Sequence, residues 1–580
     1  MFEKLRPLYP YLRRYWKQLA WGGVAVILYN AVKVLLPVVI GHAIDDMRHG
    51  ITEQKIIFHA LRLLLIAALS AIFLYITRQV IIGASREIEF DLRNDIFANL
   101  ERQSPTYYHT HRTGDIMART TNDLNAVRQL LGPAIMYSAN TIVFTAAALP
   151  FMYRISPKLT FFAFVPLPMA SVLVQYFGAR IHRRFERIQA MFSDISAKAQ
   201  ENFSGARLIR AFAQEEAEIA SFEAANREYI RRSLYLVRLM AMLWPTLEFV
   251  LGLSLMITLL VGGHEVVQHQ ISVGEFTSFN VYMVQLIWPI IAVGWVVNLF
   301  QRGTASVVRI DELLKQQPDI ADTPAAAETP IAGSIEFHNL TFAYPNTPAV
   351  LHDINLQIPA GSSLAIVGPT GSGKSTLVNL IPRLHDAAPG TVLIDGHPIR
   401  DYTLSSLRHN IGFVPQETFL FSDTIRQNIA FGTPNATIEQ VEEAATTAHI
   451  CNEILEFPKG FETEVGERGL TLSGGQKQRT AIARAIIRDP KILILDDALA
   501  SVDTYTEERI LTGLKRVMDG RTTIFISHRI STARNADQIA VIVAGRIAEL
   551  GTHDELLARN GYYTSLFEKQ RLEEELSIAT

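Results

Sequence analysis

The sequence predicts an α-helical membrane domain followed by an α/β domain. The chain has 580 residues, more than one hydrophobic core usually serves, so two or more domains are expected. Apolar residues make up 49% and charged residues 19%, with a mean hydropathy of +0.16, which favours a membrane part. Long apolar runs fill the chain up to about residue 305, whereas strand-like and helix-like patterns alternate after about residue 334. These observations together indicate two halves of different kinds.

Bulk charge and cysteine content exclude several classes of protein. The net charge is −3, so the chain has no overall basic field of the kind that binds nucleic acid. The single cysteine, Cys451, can form no internal disulfide and cannot alone form a thiolate metal site. The first apolar run is too long for a cleaved signal peptide, and no small-residue cleavage site follows it.

Six apolar runs are each long enough to cross a hydrocarbon core of about 30 Å as helices. They cover residues 18–43, 58–83, 131–153, 158–179, 237–263 and 275–301. Basic residues precede the first run, which predicts a cytoplasmic N-terminus. They include Arg6, Arg13, Arg14 and Lys17.

Two long connections are predicted to carry helices from the membrane into the cytoplasm. They follow the second and fourth runs and are rich in Arg, Glu and Gln with helical periodicity. We expect the turns at their tips within residues 111–127 and 201–218, where Gly, Thr and Asn interrupt the helical pattern.

A Pro- and Ala-rich stretch, residues 316–333, lacks an apolar period and is predicted to be a linker. It divides the chain into a membrane domain, residues 1–315, and a second domain, residues 334–580, which is expected to bind a nucleotide because of the motif that follows.

The segment "IVGPTGSGKST", residues 366–376, matches the phosphate-binding loop pattern in full and lies between a strand-like and a helix-like run. Its glycines permit a tight loop whose N–H groups point at phosphate oxygens at a helix N-terminus. Lys374 is predicted to neutralise the β and γ oxygens, and Ser375 to ligate Mg²⁺ through its hydroxyl. The predicted nucleotide contacts of this loop are Gly368, Thr370, Gly371, Ser372, Gly373, Lys374, Ser375 and Thr376.

Two adjacent carboxylates follow the apolar run 492–495. The run reads as a buried strand, and Asp496 at its end is suited to holding Mg²⁺ in its outer coordination sphere. Hydrolysis also requires a group that orients or deprotonates the attacking water. The adjacent residue, Asp497, is the candidate for that role.

With these motifs, residues 334–570 resemble the nucleotide-binding domain of the ATP-binding cassette (ABC) family. The segment "LSGGQ", residues 472–476, is identical to the signature of that family and opens a helix-like run. In the family this signature binds the ATP held by the opposite domain. The resemblance therefore implies a dimer in which Ser473, Gly474, Gly475 and Gln476 complete the partner's site.

The resemblance assigns further residues to the site, with ATP and Mg²⁺ as its cofactors. Tyr344 should stack on adenine, and Gln416 should reach Mg²⁺ and the water. His528 corresponds to the switch histidine over the γ-phosphate, and Asp503 to the loop residue that crosses the dimer seam. Residues 463–469 resemble the segment that contacts the membrane domain in exporters.

Asp497 departs from the family pattern, which has glutamate at this position. The shorter side chain withdraws the carboxylate, and a misplacement of about 1 Å can cost about 10²-fold in rate. Exporters built from two different halves often have one site weakened in this way, so Asp497 and the intact signature favour a heterodimer. The intact His528 favours the alternative, a homodimer that hydrolyses ATP slowly.

Six spans followed by a cassette resemble a half-transporter of the multidrug and lipid exporter class, with the type IV exporter fold. The resemblance implies ATP-driven export of amphipathic small molecules or lipids across a bacterial plasma membrane, with the ATPase domain in the cytoplasm and no nucleic acid partner. A nucleotide-gated channel or sensor is a weaker alternative. A soluble cassette ATPase acting on nucleic acid is disfavoured by the spans.

Polar residues inside the spans are costly, so each needs a reason. One interpretation is a cavity wall that meets cargo. The other is a structural ion pair between Lys33 and Glu248 with interhelical hydrogen bonds. The other polar residues are Asn30, Asn280 and Gln285, and nearby aromatic residues that could contact cargo, lipid or other helices are Trp244, Phe249, Tyr282, Trp288 and Trp295.

Overall fold

The computed structural model describes residues 2–48, 50, 52–466, 469, 471–499 and 504–579. The chain divides into two compact units. The first comprises Met1–Glu101 and Arg112–Gln316, and the second comprises Arg102–His111 and Gln317–Thr580. The short segment 102–111 therefore packs with the second unit although the first unit surrounds it in sequence.

The first unit is entirely helical in its described part. Its helices are Tyr9–Arg14, Trp16–Lys33, Leu35–Arg48, Glu53–Leu100, Thr113–Ala118, Leu124–Gln129, Ile135–Ile155, Pro157–Phe164, Leu167–Ser204, Ala206–Ala211, Glu215–Val267 and Val273–Lys315, with a 3₁₀ turn at Phe2–Leu8. Two π-helical turns, Arg119–Asp123 and Leu130–Ala134, connect the three helical segments between Thr113 and Ile155 into one continuous helix. Wide turns of this kind absorb extra residues without ending a helix.

Five helical segments of the described chain are long and apolar enough to cross a membrane. They are Trp16–Arg48, Glu53–Leu100, Thr113–Ile155, Glu215–Val267 and Val273–Lys315. The predicted span 158–179 is instead divided between Pro157–Phe164 and Leu167–Ser204. The division falls at Val165 and Pro166, because proline has no N–H to continue the helical ladder. Six uninterrupted spans therefore stay a prediction.

The tip of the first predicted cytoplasmic hairpin lies elsewhere than the sequence pattern indicated. We expected it within residues 111–127, but the helix ends at Leu100 and a short helix, Pro105–Thr110, follows. Residues from Thr113 onward already belong to the returning helix. Ser104 is extended, with φ −72° and ψ 158°, because a residue before proline is excluded from the α region. The second tip is where it was expected, at Gly205 and the helix Ala206–Ala211.

Some polar groups in the membrane unit have partners within it, whereas the buried side-chain oxygen of Gln285 has none among the described residues, and Lys33 does not pair with Glu248. The Lys33 ammonium lies 4.8 Å from the centre of the Phe144 ring, so a cation–π contact replaces the expected ion pair. Asn30 donates to the side-chain oxygen of Asn140 at 3.0 Å, which is the expected interhelical hydrogen bond. Tyr282 is fully buried and donates to the carbonyl oxygen of Val34 at 2.6 Å, so it belongs to the core.

The remaining side chains named from the sequence are mostly exposed in the isolated chain. Trp244, Phe249, Trp288 and Trp295 are exposed large side chains. Asn280 donates to the carbonyl oxygen of Phe276 in its own helix.

The second unit is built on two sheets. The strands are β1 Ile335–Ala343, β2 Ala349–Ile358, β3 Ser363–Val367, β4 Val392–Ile394, β5 His397–Pro398, β6 Ile411–Val414, β7 Ile492–Asp496, β8 Thr522–Ile526, β9 Gln538–Val543 and β10 Arg546–Gly551. One sheet has the order β2-β1-β4-β5 and is antiparallel. The other has the order β10-β9-β3-β8-β7-β6, in which β9, β3, β8, β7 and β6 are parallel and β10 is antiparallel.

Two cores lie on the two faces of the six-stranded sheet. Along β3, Leu364 and Ile366 join one apolar cluster, whereas Ala365 and Val367 join the other. This alternation follows from the two-residue period of a strand. The helices of the unit are Pro105–Thr110, Lys374–Leu380, Leu404–His409, Ile425–Ala430, Ile438–Thr447, Cys451–Glu456, Gly474–Ile486, Thr504–Met518, Ile530–Ala533, His553–Ala558 and Tyr562–Ala579.

The stretch predicted as a linker is hydrogen-bonded to the second unit. The Asp322 carboxylate accepts from the Leu404 N–H at 2.7 Å, and the Ala327 N–H donates to the Asp401 carbonyl oxygen at 2.9 Å. The predicted linker is therefore held against the second unit by hydrogen bonds, and we call it the connecting strap.

A close backbone approach between two membrane helices gives a test of the first unit. A Cβ at Gly274 would lie 2.1 Å from the carbonyl oxygen of Gly41, whereas one at Gly263 would meet nothing within 4 Å. We expect Gly274→Val to destabilise the membrane unit by about 1–3 kcal/mol because the helices must separate. The thermal midpoint in detergent, followed by size-exclusion fluorescence, measures the effect. Gly263→Val is the matched control, and an equal loss in both variants would contradict this packing.

Candidate functional site

The carboxyl ends of four neighbouring parallel strands bring most of the predicted site residues to one edge of the sheet. The phosphate loop follows β3, His528 follows β8, Asp496 and Asp497 end β7, and Gln416 follows β6. Together they line a cavity of about 270 Å³. The cavity lining is Val350, Thr370, Gly371, Gly373, Lys374, Ser375, Thr376, Gln416, Asp496, Asp497, Ile526 and His528.

Glycines in the phosphate loop are required by backbone shape and by close contacts. Gly373 has φ +98°, in the left-handed region, and caps the helix Lys374–Leu380. A Cβ at Gly368, where φ is +146°, would lie 2.1 Å from the carbonyl oxygen of Ile542. Any side chain there would push the loop away from β9. Gly371 is also left-handed, and the hydroxyl of Ser372 is buried with no hydrogen-bond partner among the described residues.

Lys374 is a buried cation held by its own loop. It is 6% exposed, and its ammonium donates to the carbonyl oxygens of Gly368 and Pro369, both at 2.9 Å. Burial lowers the pKa of the Lys374 ammonium, while the nearby carboxylates of Asp497 and Asp496 oppose that shift. The loop thus presents a positive charge that phosphate oxygens could contact in place of the two carbonyls.

Asp496 and Ser375 form the oxygen pair expected for Mg²⁺. Asp496 is 3% exposed, and its carboxylate accepts a hydrogen bond from the Ser375 hydroxyl at 3.0 Å. Burial raises the pKa of the Asp496 carboxyl, a cost that a bound cation would relieve. No cluster of three or more His, Cys, Asp or Glu ligands occurs in the described chain. The donor set fits Mg²⁺, which commonly takes few protein ligands and completes its shell with water and substrate phosphates.

Asp497 occupies a backbone conformation that few side chains favour. Its φ is +48°, and its N–H donates to the carbonyl oxygen of Ile526 at 3.1 Å. Aspartate and asparagine are the residues, apart from glycine, that enter this region most readily. The short side chain therefore suits the turn after β7, and it is half-buried at the cavity wall.

A residue that the sequence did not indicate holds the loop of His528. The side chain of Gln570, in the last helix, spans this loop: its amide nitrogen donates to the carbonyl oxygen of His528, and its amide oxygen accepts from the Ile530 N–H at 2.9 Å. The His528 side chain is exposed at the cavity. Because Gln570 lies 42 residues from His528, no local motif could have predicted this contact.

Tyr344 lies beside the loop but does not line the cavity. Its hydroxyl is 3.0 Å from the Thr376 hydroxyl, and its ring meets the His385 ring edge-on at 5.1 Å. The other side of His385 contacts the segment 102–111, where the Thr106 hydroxyl lies 3.3 Å from Nδ1 of His385. Burial lowers the pKa of the His385 imidazole, so this ring is neutral at pH 7. A chain of contacts therefore links Thr106 to the phosphate-loop helix.

The signature segment lies outside this cavity. Ser473 is exposed and caps the helix Gly474–Ile486 by accepting from the Gln476 N–H, while the Gln476 side chain accepts from the Ser473 N–H. Glu453 holds the first turns, since it accepts from Gln476 at 3.0 Å and from both terminal nitrogens of Arg479. The helix N-terminus thus presents its N–H groups on an accessible surface.

Some predicted residues lie outside the described part of the chain. Asp503 is one of them, so its expected position across a dimer seam stays a prediction. In the segment 463–469 the described residues are 463–466 and 469.

Known proteins share both halves of this architecture. Residues 19–290 match the family model for the ABC transporter transmembrane region, and residues 351–500 match that for the ABC transporter domain. The chain is 36% identical to the "Probable multidrug resistance ABC transporter ATP-binding/permease protein YheI" of Bacillus subtilis, covering 99% of this chain and 98% of that protein. It is 37% identical to an "ATP-dependent lipid A-core flippase" of Syntrophus aciditrophicus, covering 95% and 92%.

A solved structure has the same fold. The structure of a bacterial Atm1-family ABC exporter with ATP bound superposes with a TM-score of 0.78 at 30% identity, and the match covers 96% of this chain and 98% of that one. The chain therefore belongs to the ABC transporter family, and it is an ATP-hydrolysing transporter that carries its transmembrane region and its ATPase domain in one polypeptide.

Proposed function

We propose that this protein exports amphipathic small molecules or lipids across a bacterial plasma membrane as one half of a dimer. The observation that carries the proposal is the cavity that unites Lys374, Ser375, Asp496 and Asp497 in a chain with long apolar helices. Relatives named as multidrug and lipid A transporters support the class of cargo. In this proposal, residues 1–315 form the membrane domain, residues 316–333 the connecting strap and residues 334–580 the ATPase domain, with the N-terminus in the cytoplasm.

The residues of the cavity have separate roles in this proposal. Gly368, Gly371, Gly373 and Lys374 hold the phosphates of ATP, and Tyr344 stacks on the adenine. Mg²⁺, held through Ser375, Gln416 and Asp496, would neutralise charge on the phosphate oxygens. Thr370, Ser372 and Thr376 complete the loop.

Three residues act on hydrolysis itself. Asp497 orients the attacking water and accepts its proton, while His528 stabilises charge at the γ-phosphate. Gln416 follows β6 and lines the same cavity, where it would reach Mg²⁺ and the attacking water and sense the membrane half.

A second chain is required because the signature does not reach its own cavity. We infer that Ser473, Gly474, Gly475 and Gln476 contact the ATP of the partner, and that Asp503 lies at the seam. Closing two such sites would move the helices between inward-facing and outward-facing arrangements.

We further propose that the partner is a different half-transporter and that the site at Asp497 is slow. The support is chemical: aspartate is one methylene shorter than the family's glutamate, and its backbone is left-handed at this position. A homodimeric flippase or multidrug exporter is the alternative, and the intact His528 is the feature that favours it.

The partner and the transport activity can be tested together with purified chain. If the proposal is right, the chain expressed alone turns over ATP slowly or does not form a stable dimer. Inside-out vesicles that contain the chain together with its partner should accumulate an amphipathic dye only when ATP is added. Lys374→Ala removes the phosphate contact and should weaken ATP binding at this site. A fast, dye-transporting homodimer would overturn the heterodimer, and ATP binding without transport in any pairing would favour a channel or sensor.

The length of the acid at position 497 is the second test. Asp497→Glu extends the carboxylate toward the water, so we expect kcat to rise by about 10-fold or more if reach limits the rate. The left-handed backbone should cost about 1–2 kcal/mol of stability in return. Steady-state ATPase assays measure kcat, and Asp497→Asn is the control that keeps the length but removes the base. Unchanged or lower kcat in the glutamate variant would contradict the slow-site assignment.

Gln570 provides the third test, as a positioning residue for His528. Gln570→Ala should lower kcat several-fold with little change in the KM for ATP, because the loop of His528 loses the two hydrogen bonds that the Gln570 side chain makes to it. Lys569→Ala, on the same helix, is the matched control. In a His528→Ala background Gln570→Ala should have no further effect. Additive losses in the double variant would show that Gln570 acts on stability alone.

A further inference from the structure

Lys33 is a cation near the middle of a predicted membrane span. It ends the helix Trp16–Lys33 and lies about 4 Å, measured along the helix axis, from the centre of the predicted span 18–43. Within about 5 Å of the centres of the six predicted spans, the sequence has one other charged residue, Glu248. A charge at this depth loses much of its hydration, so an ionisable residue there commonly serves a function.

The Lys33 side chain lies on the face of its helix that packs against other helices. Val26, Asn30 and Pro37 lie at helical spacing from it on the same face, and all three are buried. The opposite face is exposed, as at Val24. Lys33 itself is only half-buried. Its ammonium is therefore inside the helical bundle, where it is accessible to a small molecule, and it is not on the face that would meet lipid.

No carboxylate compensates the charge of Lys33 in the described chain. Its ammonium lies 4.8 Å from the centre of the Phe144 ring and 5.5 Å from that of the Tyr29 ring. Glu248, the other charge at this depth, is exposed on the helix Glu215–Val267. Aromatic faces stabilise a cation but do not neutralise it. The ammonium therefore stays available to an anionic group.

An unsatisfied hydrogen-bond acceptor lies on a helix that packs against the same turn. The Tyr282 hydroxyl donates to the carbonyl oxygen of Val34, the residue after Lys33, at 2.6 Å. Gln285 follows Tyr282 by about one helical turn, and its side-chain oxygen is buried with no hydrogen-bond partner among the described residues. Buried polar atoms are seldom left unpaired, so a donor from a bound molecule would complete this contact.

The side chains around these two polar groups are apolar or aromatic. Val34, Phe144 and Tyr282 belong to one buried cluster, and the Tyr282 ring stacks on Phe151. An amphipathic molecule with an acidic group matches both the ammonium and these surroundings. A cationic molecule would be repelled by the ammonium, and an inorganic anion would leave the apolar surface without a partner.

We propose that Lys33 binds the acidic group of amphipathic cargo and so makes the transporter selective for anionic amphiphiles. The ammonium forms a charge-assisted hydrogen bond to a carboxylate or phosphate oxygen, and Gln285 accepts a hydrogen bond from a hydroxyl or N–H group of the same molecule. The word cargo rests on the proposed export function. The binding preference does not, because it can be measured without ATP.

The experiment titrates purified full-length chain in a non-ionic detergent with two fluorescent probes, and empty micelles correct for partitioning. The probes are dansylaminoundecanoic acid in its ionised form and the methyl ester of that acid, which share an apolar body and an N–H donor. We expect the acid to bind at least about 10-fold more tightly than the ester. Lys33→Met should lower the affinity for the acid at least about 10-fold and leave the affinity for the ester unchanged.

Two further variants separate the charge of Lys33 from its packing. Lys33→Arg keeps the charge and should retain most of the preference for the acid. Arg62→Met is the matched control, because Arg62 is a cation of another predicted span that lies 5.2 Å from the centre of a phenylalanine ring, that of Phe58. It should change neither affinity. Equal binding of acid and ester by the wild type, an unchanged acid affinity in Lys33→Met, or a parallel loss for both probes would overturn the proposal.

Competition identifies the acidic group that the site takes. Dodecanoate and monododecyl phosphate are added to the complex with the fluorescent acid, and dodecanol is the uncharged reference. Displacement by either anion at a lower concentration than by dodecanol supports the proposal, and the stronger competitor shows whether a carboxylate or a phosphate is preferred. Dodecanol competing as well as both anions would contradict it.

Transport assays distinguish this inference from the proposed export function. Inside-out vesicles that export a cationic dye with ATP, from a chain without preference for the acid, would overturn the role of Lys33 and leave export standing. A chain that prefers the acid through Lys33, in vesicles that accumulate no probe with ATP, would confirm the binding site and overturn export.

Discussion

Two opposite charges are buried at the carboxyl edge of the parallel sheet, and the ATPase unit is arranged around them. Lys374 bonds to the carbonyls of its own loop, and Asp496 bonds to Ser375, so each charge is satisfied without a direct ion pair between the two in the described structure. A buried charge is tolerated only when hydrogen bonds compensate its lost hydration. The conformation of the loop, the end of β7 and the start of the following helix are therefore set together. In the proposed function, phosphate and Mg²⁺ would complement the same two charges.

The residue after Asp496 shows how backbone and chemistry constrain one position. Aspartate readily adopts the left-handed conformation of the turn that follows β7. The Asp497 N–H connects that turn to β8 by donating a hydrogen bond to the carbonyl oxygen of Ile526. A longer acid would bring the carboxylate nearer to the reacting water but would fit the turn less well. The left-handed backbone at Asp497 favours the short side chain, and the short side chain is the reason for the slow hydrolysis proposed at this site.

Nucleotide binding is connected to the segment 102–111 by direct contacts within one unit. Thr106 contacts His385, His385 packs against Tyr344, and Tyr344 contacts Thr376 in the helix of the phosphate loop. His385 is neutral at pH 7 because of its burial, so this route relies on packing and hydrogen bonding rather than on charge. In the last helix, Gln570 holds the loop of His528 through two hydrogen bonds.

Features carried by contiguous residues could be predicted from the sequence. The phosphate loop, the carboxylates after β7, the signature at a helix start and the second hairpin tip all depend on local patterns of glycine, apolar and polar residues. The first tip was placed wrongly because the helix already ends at Leu100 and Pro105 begins a separate short helix, while the Gly and Thr residues from Thr113 onward belong to the returning helix.

The sequence by itself determined the helical and α/β parts of the chain, the phosphate-loop pattern and the family, because each follows from residues that are neighbours in the chain. Tertiary structure alone decided the partner of Lys33, the hydrogen bonds between Gln570 and the His528 loop, and the contacts of His385. These contacts join residues tens to hundreds of positions apart. The backbone path that brings them together is set by the packing of whole helices and sheets, which no local pattern records.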